Sequence, residues 1–151
     1  MEKTLVLIKP DAMLKKLAGN IISDLYNLDL KIIGLKLVNV KKEFAEKHYN
    51  TLKEEKGGKI FEDTIKHLTG EFHGNENVIA IIYQGKNAIQ KVREFIGETN
   101  PEKAHPSSIR GKYGRIISYN DLFEGVIHAS DSKENAEREI KLWFDKSELV
   151  I

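Results

Sequence analysis

Cysteine is absent from this chain of 151 residues, which removes disulfide frameworks, thiolate catalysis and zinc-thiolate centres together. There is no run of about 18 apolar residues that could cross a bilayer as a helix. Met1-Glu2-Lys3-Thr4 does not open a cleavable signal, so a cytoplasmic location is expected. Net charge is only +1, from 24 basic and 23 acidic residues, which gives no global field for nucleic acid. Arginine is scarce among those 24 and limited to Arg93, Arg110, Arg115 and Arg138. Also missing are the G-x-x-x-x-G-K-[ST] phosphate loop, the protein-kinase signatures and an aromatic RNA-recognition strand. The length suits one domain, 1–151, that buries roughly two thirds of its unfolded surface.

What is present alternates between two periodicities. Thr4 to Ile8 is a partly β-branched apolar run, read as a buried strand that Pro10 stops, leaving Lys9 at its end. Asn20 to Leu28 carries Ile21, Ile22, Leu25, Tyr26 and Leu28 at helical spacing. Lys31 to Val40 reads as a second strand and Val78 to Tyr83 as a third. Helices are expected over Lys42 to Leu52 and Ile60 to Leu68, either side of Gly57-Gly58, and over Asn87 to Ile96. A long loop runs from Gly97 to about Gly125, then a short strand at Val126, then a helix from Lys133 to Phe144 capped by Asp131 or Ser132. This β-α-β-β-α-β order predicts an α+β, ferredoxin-like sandwich with an antiparallel sheet and additional helices.

One segment carries most of the chemistry. In Val126-Ile127-His128-Ala129-Ser130-Asp131-Ser132 an imidazole closes an apolar run beside hydroxyls and a carboxylate. With an unperturbed pKa of about 6.5, an imidazole is largely neutral near pH 7 and able to attack phosphorus. Taken alone, such a histidine is more often a structural one, bonded to a backbone carbonyl or a neighbouring acid. Its company decides: Lys9-Pro10-Asp11, Gly34-Leu35-Lys36, His48-Tyr49, Gly97-Glu98-Thr99-Asn100-Pro101, Ser108-Ile109-Arg110-Gly111 and the run from Ala136 to Phe144. In this order, from Thr4 to about Leu149, the chain resembles the nucleoside diphosphate kinases.

The resemblance implies an enzyme that moves the γ-phosphoryl group of ATP, or another nucleoside triphosphate, to a nucleoside diphosphate through a phosphohistidine. His128 matches the nucleophile, Glu139 the acid that orients its ring, and Ser130 the hydroxyl beside it. Arg93, Thr99 and Arg110 match the groups that hold the phosphates, which suits arginine's planar fork of donors. Lys9 matches the residue reaching the ribose hydroxyl and the moving phosphoryl group, and Tyr49 a tyrosine close to the histidine. Asp131 matches the acid nearest Mg²⁺, the implied cofactor. The family also implies a homo-oligomer, most often a hexamer, with Pro106 in a loop at subunit contacts.

The chain departs from the pattern in three places. Lys59-Ile60-Phe61 stands where the family has a Pro-Phe-Phe whose first aromatic covers the base, so Ile60 or Phe61 must do so here. The family asparagine three residues before the histidine is Gly125, and Asn120 is the nearest amide that could replace it. Glu54 to Gly58, Gly70 to Asn77 and Tyr113 to Gly125 are expanded. Such changes leave a second reading, a catalytically weakened member acting as a binding or regulatory module. Retention of the whole set of site residues argues for the enzyme.

Overall fold

The computed structural model describes residues 1–117 and 121–151. Four antiparallel strands form the main sheet: β1 (Glu2–Ile8), β2 (Lys31–Val38), β3 (Val78–Gly85) and, last in the chain, β6 (Ile127–Ala129). Their order across the sheet is β2-β3-β1-β6, with Val6 opposite both Ile81 and Ala129. Two neighbours in space are therefore separated in sequence by helical crossovers. This is the ferredoxin-like plan expected from the sequence.

β1 is central, and every residue from Thr4 to Ile8 is buried, because a strand covered on both faces needs a continuous apolar run rather than alternation. Val6 and Ile8 point to one face, where they meet Ile21 and Leu25 of α2 (Ala18–Leu25) and Val92 and Ile96 of α6 (Ala88–Ile96). Leu5 and Leu7 point to the other, against Ala45 of α3 (Lys42–His48), Leu68 of α5 (Gly58–Leu68) and Trp143 of α8 (Lys133–Trp143). At roughly 1.5–3 kcal/mol for each fully buried aliphatic side chain, these two layers are the main favourable contribution to folding. Among the described residues no helix is long and apolar enough to cross a membrane.

The structure differs from the sequence-based expectation in the connections. Pro10 starts a short helix, α1 (Pro10–Leu14), instead of merely ending β1, in keeping with the fixed φ that suits proline to a first helical turn. The expected helix over Asn20 to Leu28 ends at Leu25 and continues as a 3₁₀ turn, Tyr26–Leu28. The helix expected over Lys42 to Leu52 is broken after His48, and α4 (Leu52–Lys56) follows as a separate turn. The stretch from Gly97 to Gly125, expected as loop, holds α7 (Ile109–Tyr113) and a small hairpin of β4 (Arg115–Ile117) and β5 (Leu122–Glu124). Three-residue strands and a one-turn helix are too short to leave a periodicity that can be read.

Candidate active site

β6 places His128 on the sheet face that carries Leu7, its antiparallel partner, and α8 packs over that same face. The strand begins from a γ-turn. Ile127 N–H donates to the Gly125 carbonyl at 2.8 Å, and Val126 between them has φ +62°. Positive φ is costly for a β-branched residue, and this tight turn is the strained kind. Two bonds hold it: Val126 N–H donates to Oδ2 of the buried Asp11 at 3.0 Å, and the Val126 carbonyl accepts from Lys9 N–H at 2.9 Å. The backbone of Lys9 and the start of the histidine strand are thereby tied together.

Glu139, on the buried side of α8, reaches His128 Nε2 at 3.2 Å through Oε2. The same oxygen accepts from Ser130 Oγ at 2.6 Å, and Ser130 Oγ accepts from Leu5 N–H at 3.2 Å. Burial would raise the Glu139 carboxyl. The hydrogen bond and charge of His128, together with His48 and Ser130, outweigh it and hold the group below its usual range. An ionised Glu139 accepts from Nε2, so that nitrogen carries the proton and Nδ1 keeps its lone pair. Ser130 does not cap α8. Ser132 does, its hydroxyl accepting from Asn135 N–H at 3.1 Å, which resolves the choice between Asp131 and Ser132.

Behind His128 lies an aromatic wall. The rings of His48 and His128 meet edge to face with centroids 4.6 Å apart, and Tyr49 lies 6.2 Å from His128. Trp143 Nε1–H donates to His48 Nδ1 at 3.0 Å. Burial, helped by the charge of His128, lowers His48 to about 3, so it stays neutral. Burial and then Glu139 raise the Tyr49 phenol, which remains an O–H donor. Arg138 fixes the end of α3 by donating to the Lys47 and His48 carbonyls, each at 3.1 Å.

The cations gather on the open side. Arg110 donates to the Gly97 carbonyl at 2.9 Å and the Ile127 carbonyl at 3.0 Å. Its Nε is buried and has no hydrogen-bond partner among the described residues, which leaves one donor of the fork unspent. Burial, reinforced by Arg93, pushes Arg110 down to about 10, still protonated at neutral pH. Gly111 allows this placement, since a Cβ there would lie 2.0 Å from the His105 carbonyl oxygen. Burial also lowers the Lys9 ammonium; Arg110 adds to this while Asp11 and Glu124 oppose it. Arg93 and Thr99 line a cleft of about 350 Å³ with Gly97, Glu98, Asn100 and Lys103. Asp131 is exposed and lies within the field of Arg93. Its carboxylate is lowered first by the hydrogen bond from Asn135 Nδ2, at 2.7 Å, against the effect of burial.

A ring nitrogen with its lone pair free, a carboxylate on the opposite edge and nearby cations are groups suited to phosphate chemistry, and sequence and fold comparisons give the family. Residues 2–149 match the family model described as nucleoside diphosphate kinase. The chain belongs to the nucleoside diphosphate kinase family. It is 44% identical over 149 residues to the nucleoside diphosphate kinase of Pyrococcus furiosus, covering 99% of this chain and 86% of that one. Among solved structures it resembles a transition-state mimic of the Borrelia burgdorferi nucleoside-diphosphate kinase with bound vanadate and ADP, at 29% identity and a TM-score of 0.90, covering 99% of this chain and 90% of that one. A halophilic nucleoside diphosphate kinase from Halobacterium salinarum in complex with CDP follows at 34% identity and a TM-score of 0.85, over 99% and 91%.

Within this family member, several side chains that hold the arrangement together carry no clear signal in the sequence. Asp11 and Trp143 act through backbone and ring contacts, and His48 was noted only as part of His48-Tyr49. The expanded segments also acquire a structural role. Glu124, 1% exposed, is held by Lys15, Arg115 and His73, which joins the hairpin and the stretch 70–77 to α1. Burial would raise Glu124, but the bonds from Arg115, His73 and Lys15 bring it down to about 2. Asn120 lies outside the described residues. Gly125 carries no side-chain amide, and a Cβ placed there would meet Arg110 Nε at 3.4 Å.

Proposed function

We propose that His128 Nδ1 is the nucleophile of a nucleoside-diphosphate kinase, taking the γ-phosphoryl group from a nucleoside triphosphate and then delivering it to a nucleoside diphosphate. The observation that carries this assignment is the single hydrogen-bonded edge of the ring: Glu139 accepts from Nε2–H, which leaves Nδ1 as the basic, attacking atom. Attack forms the Nδ1–P bond as the β–γ bridging P–O bond breaks. The positive charge that builds on the ring is met by Glu139, itself steadied by Ser130. Phosphoryl transfer asks mainly for positioning and charge neutralisation. Arg110, Arg93 and Thr99 serve the phosphates, Lys9 the ribose hydroxyl and the moving group, and Tyr49 donates its phenol proton at the same site. Because one histidine serves donor and acceptor in turn, one nucleotide leaves before the other binds.

Mg²⁺ is the family's ion, and when bound with nucleotide it would supply charge neutralisation at the phosphates. Asp131 fits it: Mg²⁺ uses one or two carboxylates and keeps several waters, and this carboxylate is exposed and held ionised by Asn135 and Ser132. Ile60, half exposed on α5, covers the base by apolar contact. The chain acts as one domain in the cytoplasm and assembles as a homo-oligomer, with a hexamer favoured. The outer strand β2 supports assembly, since it is at the sheet edge with Leu35 and Leu37 exposed.

The test is direct. Incubation with ATP and Mg²⁺ should yield an acid-labile, base-stable phosphate, and initial-rate plots against donor and acceptor should be parallel. His128→Ala should abolish both the phosphate and turnover while keeping the fold. Intersecting lines, or turnover above about a hundredth of wild type in the variant, would refute the covalent route.

A further inference from the structure

A ring nitrogen of His48, one of His128 and a carboxylate oxygen of Glu139 all lie within 4.8 Å of one another. Two imidazoles and a carboxylate are a favoured ligand set for borderline-soft dications, and tetrahedral Zn²⁺ sets such atoms about 3.4 Å apart. Modest side-chain movement would close the gap. His128 is partly open to solvent and can exchange tautomers, and Glu139 is ionised. His48 is the exception. A neutral imidazole has one lone pair, and in His48 that pair faces Trp143 Nε1–H. Its Nε2 therefore carries hydrogen. That atom is buried, in a residue 2% exposed, and has no hydrogen-bond partner among the described residues.

We propose that His48, His128 and Glu139 form a latent site for a transition-metal dication, Zn²⁺ or Co²⁺, which the Trp143 to His48 hydrogen bond keeps closed. For His48 Nε2 to bind metal, its proton must move to Nδ1. There it would confront the indole N–H, two donors face to face, and the buried indole would lose its acceptor. The lock thus works through the tautomer, not through steric exclusion. Its effect is to keep the nucleophile free in an enzyme whose working ion prefers oxygen ligands. Losing a hydrogen bond to a buried donor is worth about a tenfold or greater change in affinity.

The test uses nucleotide-free protein and Co²⁺, whose tetrahedral complexes absorb visible light. Trp143→Phe keeps an aromatic ring against Phe44 but removes the donor. It should bind one Co²⁺ at a concentration at least tenfold lower than wild type does, and Zn²⁺ should block its phosphohistidine formation with the same advantage. Adding His48→Phe should erase both gains. Equal Co²⁺ affinity in wild type and Trp143→Phe, or a gain that survives in the double variant, overturns the proposal. Should Trp143→Phe fail to fold, ¹⁵N NMR of wild type decides: Nδ1 of His48 must be the unprotonated nitrogen and Nε2 the protonated one, and the reverse overturns the lock. Only the inhibition arm rests on His128 as nucleophile. An inactive protein showing the Co²⁺ pattern would refute the assigned function and leave this site standing.

Discussion

Glu139→Gln isolates the charge behind the nucleophile while keeping its shape. In wild type one oxygen accepts from both His128 Nε2 and Ser130 Oγ, at 3.2 and 2.6 Å. An amide carbonyl can still accept, so packing and the ring's tautomer are retained. What is lost is the difference between charge-assisted and neutral hydrogen bonds, about 1–2 kcal/mol in the resting site. The loss is larger in the transition state, where the ring gains positive charge as the Nδ1–P bond forms, and there it should reach about 1.5–3 kcal/mol. That is roughly a 10- to 150-fold fall in the rate of phosphohistidine formation. The assay is quench-flow with γ-labelled ATP at neutral pH, with thermal unfolding to confirm the fold. Nucleotide KM should move little, because Glu139 faces the ring and not the substrate. A rate within threefold of wild type would show that the carboxylate merely packs, and a fall seen only in KM would place it in binding.

Other outcomes follow from the same structure. Arg110→Lys keeps charge but cannot bridge the Gly97 and Ile127 carbonyls while offering a flat edge to phosphate, so kcat/KM should fall by about 2 kcal/mol, or roughly 30-fold; steady-state kinetics showing no change would return it to the surface class. Glu124 is lowered from an ordinary 4.5 to about 2, so its contribution to stability is complete above about pH 4.5 and is lost as pH falls towards 2. Melting curves across that range should show the loss, and Glu124→Gln, less stable at neutral pH, should show a flatter dependence. Ile60→Phe restores a π face where the chain now offers an exposed aliphatic side chain, and stacking worth about 1 kcal/mol should lower nucleotide KM about fivefold with kcat unchanged; an unchanged KM would mean that Ile60 does not cover the base.

The architecture was legible in sequence where elements are long and pattern is strong. The apolar run at Thr4 to Ile8 reappears in β1, which starts two residues earlier, and the helical spacing from Asn87 to Ile96 reappears as α6, which starts one residue later. The candidate site residues could be proposed from sequence because each lies in a short, ordered motif. What escaped was local or relational. α7, β4 and β5 are three to five residues long, below the reach of any periodicity. Asp11 gave no sign that its carboxylate would hold a backbone N–H 115 residues away. His48 gave none that an indole 95 residues on would decide which of its nitrogens holds the proton. Glu124 and His73, 51 positions apart, looked like parts of two unrelated insertions until the fold brought them together.

The γ-turn at Val126 bears on how such a protein can change. The histidine strand takes its starting point from the backbone of Lys9, directly after β1, and from Asp11 in the first turn of α1, and not from the hairpin that precedes it. Chain length upstream is therefore free to drift: a hairpin can grow or shrink before Gly125 without shifting the nucleophile, as a rope may be lengthened behind a cleat. The bonds from Asp11 and Lys9 hold that cleat against the strain at Val126. Only substitutions that loosen the Asp11 bond would let variation in the hairpin reach the chemistry, so insertions there should be tolerated in this chain and become harmful once Asp11 is lost.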